Sequence, residues 1–404
     1  MAVFQELRQP VLSLPWGNDT LPLEVLPFLE QFDHIVLWFG NDITGFNAAR
    51  QLSKKLGYER CSLFRPLTPV PTPMDALRQG KSLSRILKFA TRAGHQFIQH
   101  FKDLRFEVQS ELSLVEQVKG IQFKRFPLLN KLLKGHRRGE LTIVTGPTGS
   151  GKTTFISELS LDLCIQGVNT LWGSFEIKNV RLMKTMLIQF ARKNLATHFA
   201  EFDKYADQFE QLPMHFMAFH GQESLKRVID TMDHAVYVHD ISHIIVDNLQ
   251  FMMGMGQLGD RNRNFDRLTQ QDEVVAAFRQ FATSKNCHVT LVIHPRKEPN
   301  GEALHIGSIF GSAKASQEAD NILLLQLVEN MKVTTQPKKY IQVAKNRFDG
   351  DLGSMLLKFD KDSLSFGSKP STSKPSTEEN IQETIQPNNQ LHSEHSEEAS
   401  DEEL

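Results

Sequence analysis

The sequence predicts an α/β fold, a mostly parallel sheet covered by helices, preceded by a smaller α/β unit. Three observations predict it. From Glu140 to Phe366, short apolar runs of strand type alternate with segments of helical periodicity. The runs "LTIVTG", "HIIVDNLQF" and "HVTLVIH" are almost unbroken in apolar residues, as strands buried on both faces require. The glycine-rich loop "GPTGSGKTT" follows the first of these strands and opens a helix.

Taken in order, "DHIVLWFGNDITGFNAARQLSKKLG" (Asp33 to Gly57) reads as strand, turn and amphipathic helix, with Gly57 placed as a helix stop. Four prolines in "RPLTPVPTPMD" (Arg65 to Asp75) allow neither a helix nor a central strand, which makes this a connector. The pattern turns helical from Leu83 to Val118. Val108, Leu112, Val115 and Val118 recur there at three- and four-residue spacing, either on a surface helix or on one that packs against a neighbouring subunit. Beyond Glu140 come "LTIVTG" and a helix from Lys152, "NTLWGSF" and a helix near Val180 to Ala196, "HIIVDNLQF", and a helix around Asp272 to Ser284. "HVTLVIH", "NILLLQLV" and "KYIQVAKNR" close the series. From Ser368 onward, Ser, Pro, Glu, Asn and Gln dominate, a composition that cannot bury enough apolar surface to fold, so residues 368–404 read as a disordered acidic tail.

Composition narrows the function classes. The 404 residues are 40% hydrophobic and 23% charged, enough for two or three globular domains. Net charge is −1 overall, but the tail holds nine acids and two lysines, which leaves residues 1–367 at +6. This permits a polyanionic partner without requiring one. Cys61, Cys164 and Cys287 are far apart and form no CxxC pair, so neither a disulfide framework nor a zinc ribbon is expected. His239 and His243, four apart, lack a companion Glu or Cys motif and are not expected to hold zinc. No apolar run is long enough to span a bilayer, and the first residues show neither a signal-peptide core nor transit-peptide character.

The chemistry is concentrated in a few strings. Gly146, Pro147, Thr148, Gly149, Ser150, Gly151, Lys152 and Thr153 form a complete GxxxxGK[ST] loop, followed by Thr154. Its glycines let backbone N–H groups turn inward around phosphates, Lys152 can reach the β and γ oxygens, and the Thr153 hydroxyl can ligate magnesium. ATP or another nucleoside triphosphate, with Mg2+, is the expected ligand. Asp247 ends an apolar strand where a second magnesium-holding acid belongs, and Glu176 ends another strand as a candidate base.

In order, "TGPTGSGKTT", "LWGSFEI", "IIVDNLQFMM", "LVIHPRK", "IFGSAKASQEADNILLL" and "KNRFDGDLG" resemble the RecA-like motor of the hexameric, DnaB-like replicative helicases, most closely its mitochondrial branch, from Asp33 to about Phe366. The resemblance implies Lys152 and Thr153 as phosphate and magnesium ligands, Asp247 as the Walker B acid, and Glu176 as the base that orients water. It implies His294 as the γ-phosphate sensor, and Arg347, with Lys345 beside it, as an arginine finger reaching the next subunit's site. Arg296, Lys297, Gly311 and Lys314, with Arg261 and Arg263 on another loop, are the implied DNA contacts.

The same resemblance divides the chain into a truncated, degenerate Toprim-like domain (1–100), a subunit-linking helix (101–122), a RecA-like helicase domain (123–367) and the tail. In "GNDITG", Gly40 stands where the Toprim metal motif has its first acid, which argues against primase chemistry. The fold would start inside the Toprim module. The implied protein is a ring of six or seven identical subunits that hydrolyses ATP, moves five-prime to three-prime on single-stranded DNA and opens forked duplex. Its implied setting is the mitochondrial matrix nucleoid, with a replicative polymerase and a single-strand-binding protein as partners. A RecA-like recombinase or strand-annealing ATPase, or a truncated ring subunit that binds DNA without unwinding it, remain the alternatives.

Overall fold

The computed structural model describes residues 2–14, 21–40, 42–64, 70–92, 101–113, 120–254, 264–296, 303–309, 313–328 and 338–366. The strands are β1 (Ile35–Leu37), β2 (Cys61–Leu63), β3 (Thr91–Arg92), β4 (Leu141–Thr145), β5 (Thr170–Ser174), β6 (Met214–Phe216), β7 (His243–Asp247), β8 (His288–Val292), β9 (Asn321–Val328), β10 (Lys338–Asn346) and β11 (Gly353–Leu357). β4 to β11 form one eight-stranded sheet in the order β11-β10-β9-β4-β8-β7-β5-β6.

All neighbours from β9 to β6 pair in parallel. β10 and β11 are antiparallel, a hairpin extension on one edge. Thus "KYIQVAKNR" is a strand, as expected, but it runs against the others.

Side chains divide between the two faces with the strand's period of two. Ile143, Leu171, Ile244, Val246, Leu291 and Leu324 fall in one apolar cluster, while Val144, Trp172, Ile245, Val292 and Leu323 fall in the other. Each face is sealed by helices. Phe155, Ile156, Leu159 and Leu163 of the Lys152–Ile165 helix cover the second face. The first is covered by Val228 and Met232 of the Leu225–His239 helix and by Val275 and Phe278 of the Asn264–Lys285 helix. Burying one such side chain contributes roughly 1.5–3 kcal/mol, so double coverage makes the parallel strands the rigid part of the molecule.

Several boundaries differ from expectation. The helix expected to run to Ala196 spans Asn179–Ala191 and stops where Arg192 turns left-handed, at φ 56°. The helix expected over Asp272 to Ser284 is longer, Asn264–Lys285. β6, β11 and the helices Phe202–Glu210 and Leu225–His239 add to what the sequence announced. A helix spans Phe101–Ser113, but Ile121, read as linker, bridges to His136 and belongs to the core unit; Val115 and Val118 lie outside the described residues.

The N-terminal unit has a three-stranded sheet, β1-β2-β3, packed on the Ile43–Leu56 helix through Leu37, Phe46, Leu52 and Leu63. Gly57 ends that helix at φ 99°, as expected. Asp42 is occupied as its cap, accepting from the Gly45 N–H at 2.7 Å. Lys55 pairs with Asp240 at 2.5 Å, and the Tyr237 hydroxyl donates to Glu30 at 2.7 Å, tying this unit to the larger one.

At the amino ends of β7 and β8, His243 and His288 meet His136, all three buried, with ring centroids 4.2–5.5 Å apart. His239 and His243, considered as a spaced pair, do not share a helix: His239 ends one and His243 begins β7. Among the described residues, no helix is long and apolar enough to cross a membrane, and no group of three His, Cys, Asp or Glu is arranged to hold a metal.

Candidate active site

Ligand sites in open α/β sheets form at the carboxyl ends of the strands, where the strand order reverses. Here that edge gathers the loop after β4 with residues that follow β5, β7 and β8, three strands adjacent in the sheet. The loop from Gly146 to Gly151 leads into the Lys152–Ile165 helix, whose first N–H groups lack intrahelical acceptors. Gly149 and Gly151 have φ of 76° and 99°, the left-handed region that permits this tight turn. Gly146 has no room for a side chain, since a Cβ there would lie 2.8 Å from Leu325 Cβ and 2.9 Å from its carbonyl.

Lys152 is buried and its ammonium donates to the carbonyls of Gly146 (2.8 Å) and Pro147 (3.1 Å). Burial lowers its pKa, an effect that Asp247 and Glu176 oppose. The Thr153 hydroxyl donates to Asp247 Oδ2 at 2.6 Å, so the two hard oxygen ligands of the expected magnesium already touch. Burial pushes the Asp247 carboxyl up to about 6; the Thr153 hydrogen bond opposes this. The Ser150 hydroxyl is buried without a hydrogen-bond partner. A hydroxyl and a carboxylate in contact, beside an ammonium and an unsatisfied serine, fit a magnesium-bound polyphosphate.

Glu176, His294 and Asn248 form a second group on the same edge. The Asn248 amide donates to Glu176 Oε2 and lies 2.9 Å from His294 Nε2, while Glu176 Oε2 and His294 Nε2 are 3.8 Å apart. The peptide bond between Asp247 and Asn248 is cis. Gln250 Oε1 accepts the His294 backbone N–H at 3.1 Å. Burial and the nearby Lys152 charge lower the His294 pKa, so the ring is neutral at physiological pH.

Arg347 and Lys345 lie elsewhere. β10 runs antiparallel to β9, which takes both residues to the amino edge of the sheet. There the Arg347 guanidinium donates to Asp320 Oδ1 (3.0 Å) and the Gln317 carbonyl (2.7 Å), and Lys345 Nζ donates to the Ser316 carbonyl (2.7 Å). Neither belongs to its own chain's nucleotide loop. Of the residues considered for DNA, Arg296 and Lys314 are exposed; Lys297, Gly311, Arg261 and Arg263 lie outside the described residues.

The structure adds residues that sequence reasoning passed over. Asn248 and Gln250 stand in the quoted "VDNLQF" string, where polar residues after a strand read equally well as a turn. Lys339, at the other end of β10, donates to the Ser150 carbonyl at 3.0 Å, and the Phe366 ring would contact any Cβ at Gly151, at 3.1 Å. Glu158 is fully buried in the helix after the loop and accepts the Phe366 N–H at 2.6 Å. Its one sequence signal was a carboxylate in the middle of an apolar helical run, "ISELSLDL".

Comparisons with known proteins bear on the fold. A family model described as an AAA domain matches residues 107–300. The DNA helicase/primase of Enterobacteria phage T3 is 20% identical over 367 residues, 86% of this chain; the chain spans 64% of that relative's length. Among solved structures, the ATPase domain of G40P superposes with a TM-score of 0.58 at 14% identity, over 68% of this chain and all of that one. A DnaB-like replicative helicase, solved in a study of its interactions with primase, gives a TM-score of 0.54 at 14% identity, over 74% of this chain and 72% of that one. The larger unit therefore has the RecA-like α/β ATPase fold, with a mostly parallel sheet, that is seen in DnaB-like replicative helicases.

Proposed function

We propose that this chain is an ATP-hydrolysing, ring-forming replicative DNA helicase of the DnaB-like class. The observation that carries the reading is the separation of parts. Lys152, Thr153, Asp247, Glu176 and His294 converge on the carboxyl edge of the sheet, while Arg347 stands on the opposite edge. Arg347 can therefore serve such a site only from another subunit, which is the logic of a ring whose sites fire at subunit boundaries.

In this reading the loop N–H groups and Lys152 bind the β and γ phosphates, with Lys152 exchanging its loop carbonyls for phosphate oxygens. Thr153 and Asp247 are the residues that would hold a magnesium ion, which would supply charge neutralisation at those oxygens. Glu176 orients the attacking water, and His294 contacts the terminal phosphate. Arg347 of a neighbouring subunit stabilises the transition state, a contribution of roughly 10³–10⁵ in rate. Arg296 and Lys314, with Lys297, Arg261 and Arg263, neutralise the phosphates of single-stranded DNA in the ring's channel, and Gly311 lets the backbone approach the strand closely. The ring has six or seven subunits.

The finer reading is a Twinkle-type helicase of the mitochondrial nucleoid, moving five-prime to three-prime beside a replicative polymerase and a single-strand-binding protein. Its support is the match of the "LWGSFEI", "LVIHPRK" and "KNRFDGDLG" strings and a Toprim-like reading of the N-terminal unit.

The test is unwinding of a forked duplex with ATP and magnesium, alongside hydrolysis with and without single-stranded DNA, with Lys152→Ala as control. Strand separation that disappears in the variant is the expected result. DNA-stimulated hydrolysis without separation would favour the recombinase or the non-unwinding ring, and absence of hydrolysis would sink the enzymatic reading.

A further inference from the structure

Asn248 is completely buried between Glu176 and His294, and its amide is oriented without ambiguity. Its Oδ1 accepts the Phe251 N–H at 3.0 Å, capping the short Leu249–Met252 helix. With the oxygen committed, the nitrogen must face the site, and each of its two protons has an acceptor: Glu176 Oε2 and, at 2.9 Å, His294 Nε2. This arrangement fixes the imidazole tautomer. Nε2 is the acceptor, so the ring proton is on Nδ1. An imidazole in that state cannot donate through Nε2 to a phosphate oxygen.

We propose that Asn248 is a positioning residue that yokes Glu176 to His294, so that His294 engages a terminal phosphate only by giving up the Asn248 amide, and the same exchange re-aims Glu176. The inference rests on the ATPase reading above and adds to it the element that makes water activation depend on a triphosphate being present. The ends of β5, β7 and β8 are adjacent, so the exchange needs only a rotation of side chains on a fixed frame. No proton is lost or gained overall: His294 moves its ring proton from Nδ1 to Nε2 by exchange with solvent, and Asn248 keeps both of its own. The His294 backbone stays anchored by Gln250 during this change.

The test uses the full chain, with Asn248→Asp, Asn248→Ala, His294→Ala and the double variant Asn248→Ala with His294→Ala. Asn248→Asp retains an oxygen for the Phe251 N–H and so keeps the cap, but once ionised it cannot donate to Glu176 or His294, and Asn248→Ala removes the donor at any pH. The expected result for the two Asn248 single variants is a split: KM for ATP and the affinity for ADP stay within about twofold, because neither touches the phosphate loop. In contrast kcat falls by at least roughly tenfold, within the range that positioned general bases contribute. Stimulation by single-stranded DNA falls with it. The double variant should be no slower than the slower single variant, because both changes break one unit. Unchanged kcat and DNA stimulation in Asn248→Asp, in a chain whose wild type is active and whose Lys152→Ala variant is dead, overturns this inference alone. Additive losses in the double variant also overturn it. A wild-type chain that hydrolyses nothing overturns both this inference and the reading beneath it.

Discussion

Asp247 places an ionisable carboxyl in the buried part of the site, and the cost of doing so can be measured without any substrate. Burial raises its pKa from 3.8 to about 6, and each tenfold in proton affinity corresponds to about 1.4 kcal/mol. Because the folded value lies above the unfolded one, the protonated form contributes stability at low pH, and that stability is lost as pH rises from 3.8 through about 6. At pH 7.5, in metal-free buffer, the ionised Asp247 therefore disfavours the folded state by roughly 3 kcal/mol, and at pH 5 by about half that.

Asp247→Asn removes the charge and leaves an amide oxygen to accept from Thr153. In EDTA it should raise stability by roughly 3 kcal/mol at pH 7.5, or about 6–12 °C in Tm for a domain of this size, with about half the gain at pH 5. The assay is urea and thermal unfolding of both proteins across that pH range. The same variant should lose magnesium-dependent hydrolysis. A variant that is no more stable, or whose gain is equal at pH 5 and pH 7.5, refutes the claim that this fold carries a costly charge for the sake of its ligand.

Other outcomes follow from the same geometry. Burial lowers the pKa of His136, His243 and His288 below 6.5, so the neutral cluster supports the fold above that value, and its contribution is lost as pH falls from 6.5 toward the folded values. Unfolding midpoints should drop steeply below pH 6.5, and His136→Phe, which removes one ionisable ring from the cluster, should flatten that slope. Gly146→Ala forces a methyl within 2.8 Å of Leu325 and should weaken nucleotide binding at least tenfold, at a stability cost of about 1–3 kcal/mol by overpacking. Arg347→Ala should leave Tm near the wild-type value, because Asp320 keeps Arg279 at 2.6 Å and the Leu141 N–H at 2.8 Å. Hydrolysis should nonetheless fall by roughly 10³ or more. Mixing Arg347→Ala chains with Lys152→Ala chains should restore part of it, as measured by phosphate release against mixing ratio.

What could be read from the sequence was whatever burial imposes on composition. β4, β7 and β8 are covered on both faces and so carry nearly continuous apolar runs that point to a parallel sheet. β11 alternates buried and open positions at the sheet's edge, β6 is three half-buried residues, and the Phe202–Glu210 helix buries none fully, so none of them stood out. The glycine-rich loop from Gly146 to Gly151 stood out because the chemistry expected of it demands a fixed string of residue types. The separation of Arg347 from the loop was not legible: it depends on β10 reversing direction beside β9, which no local pattern encodes. Asn248 stayed hidden because an asparagine that bridges two side chains has the same signature as one that starts a turn.

β10 itself has a mechanical consequence. One end, at Lys339, is fastened to the Ser150 carbonyl of the phosphate loop; the other, beyond Asn346, carries Arg347 at the far rim, roughly 25 Å away at strand rise. An extended strand clamped between two neighbours is stiff along its length, and the single register shift between Val343 and Lys345 is where it can bend. In a closed ring such a strand acts as a pushrod. In the ring proposed above, whatever moves the loop around one nucleotide would be delivered, through one piece of backbone, to the rim that carries Arg347, so the firing order would not have to be carried by the DNA at all.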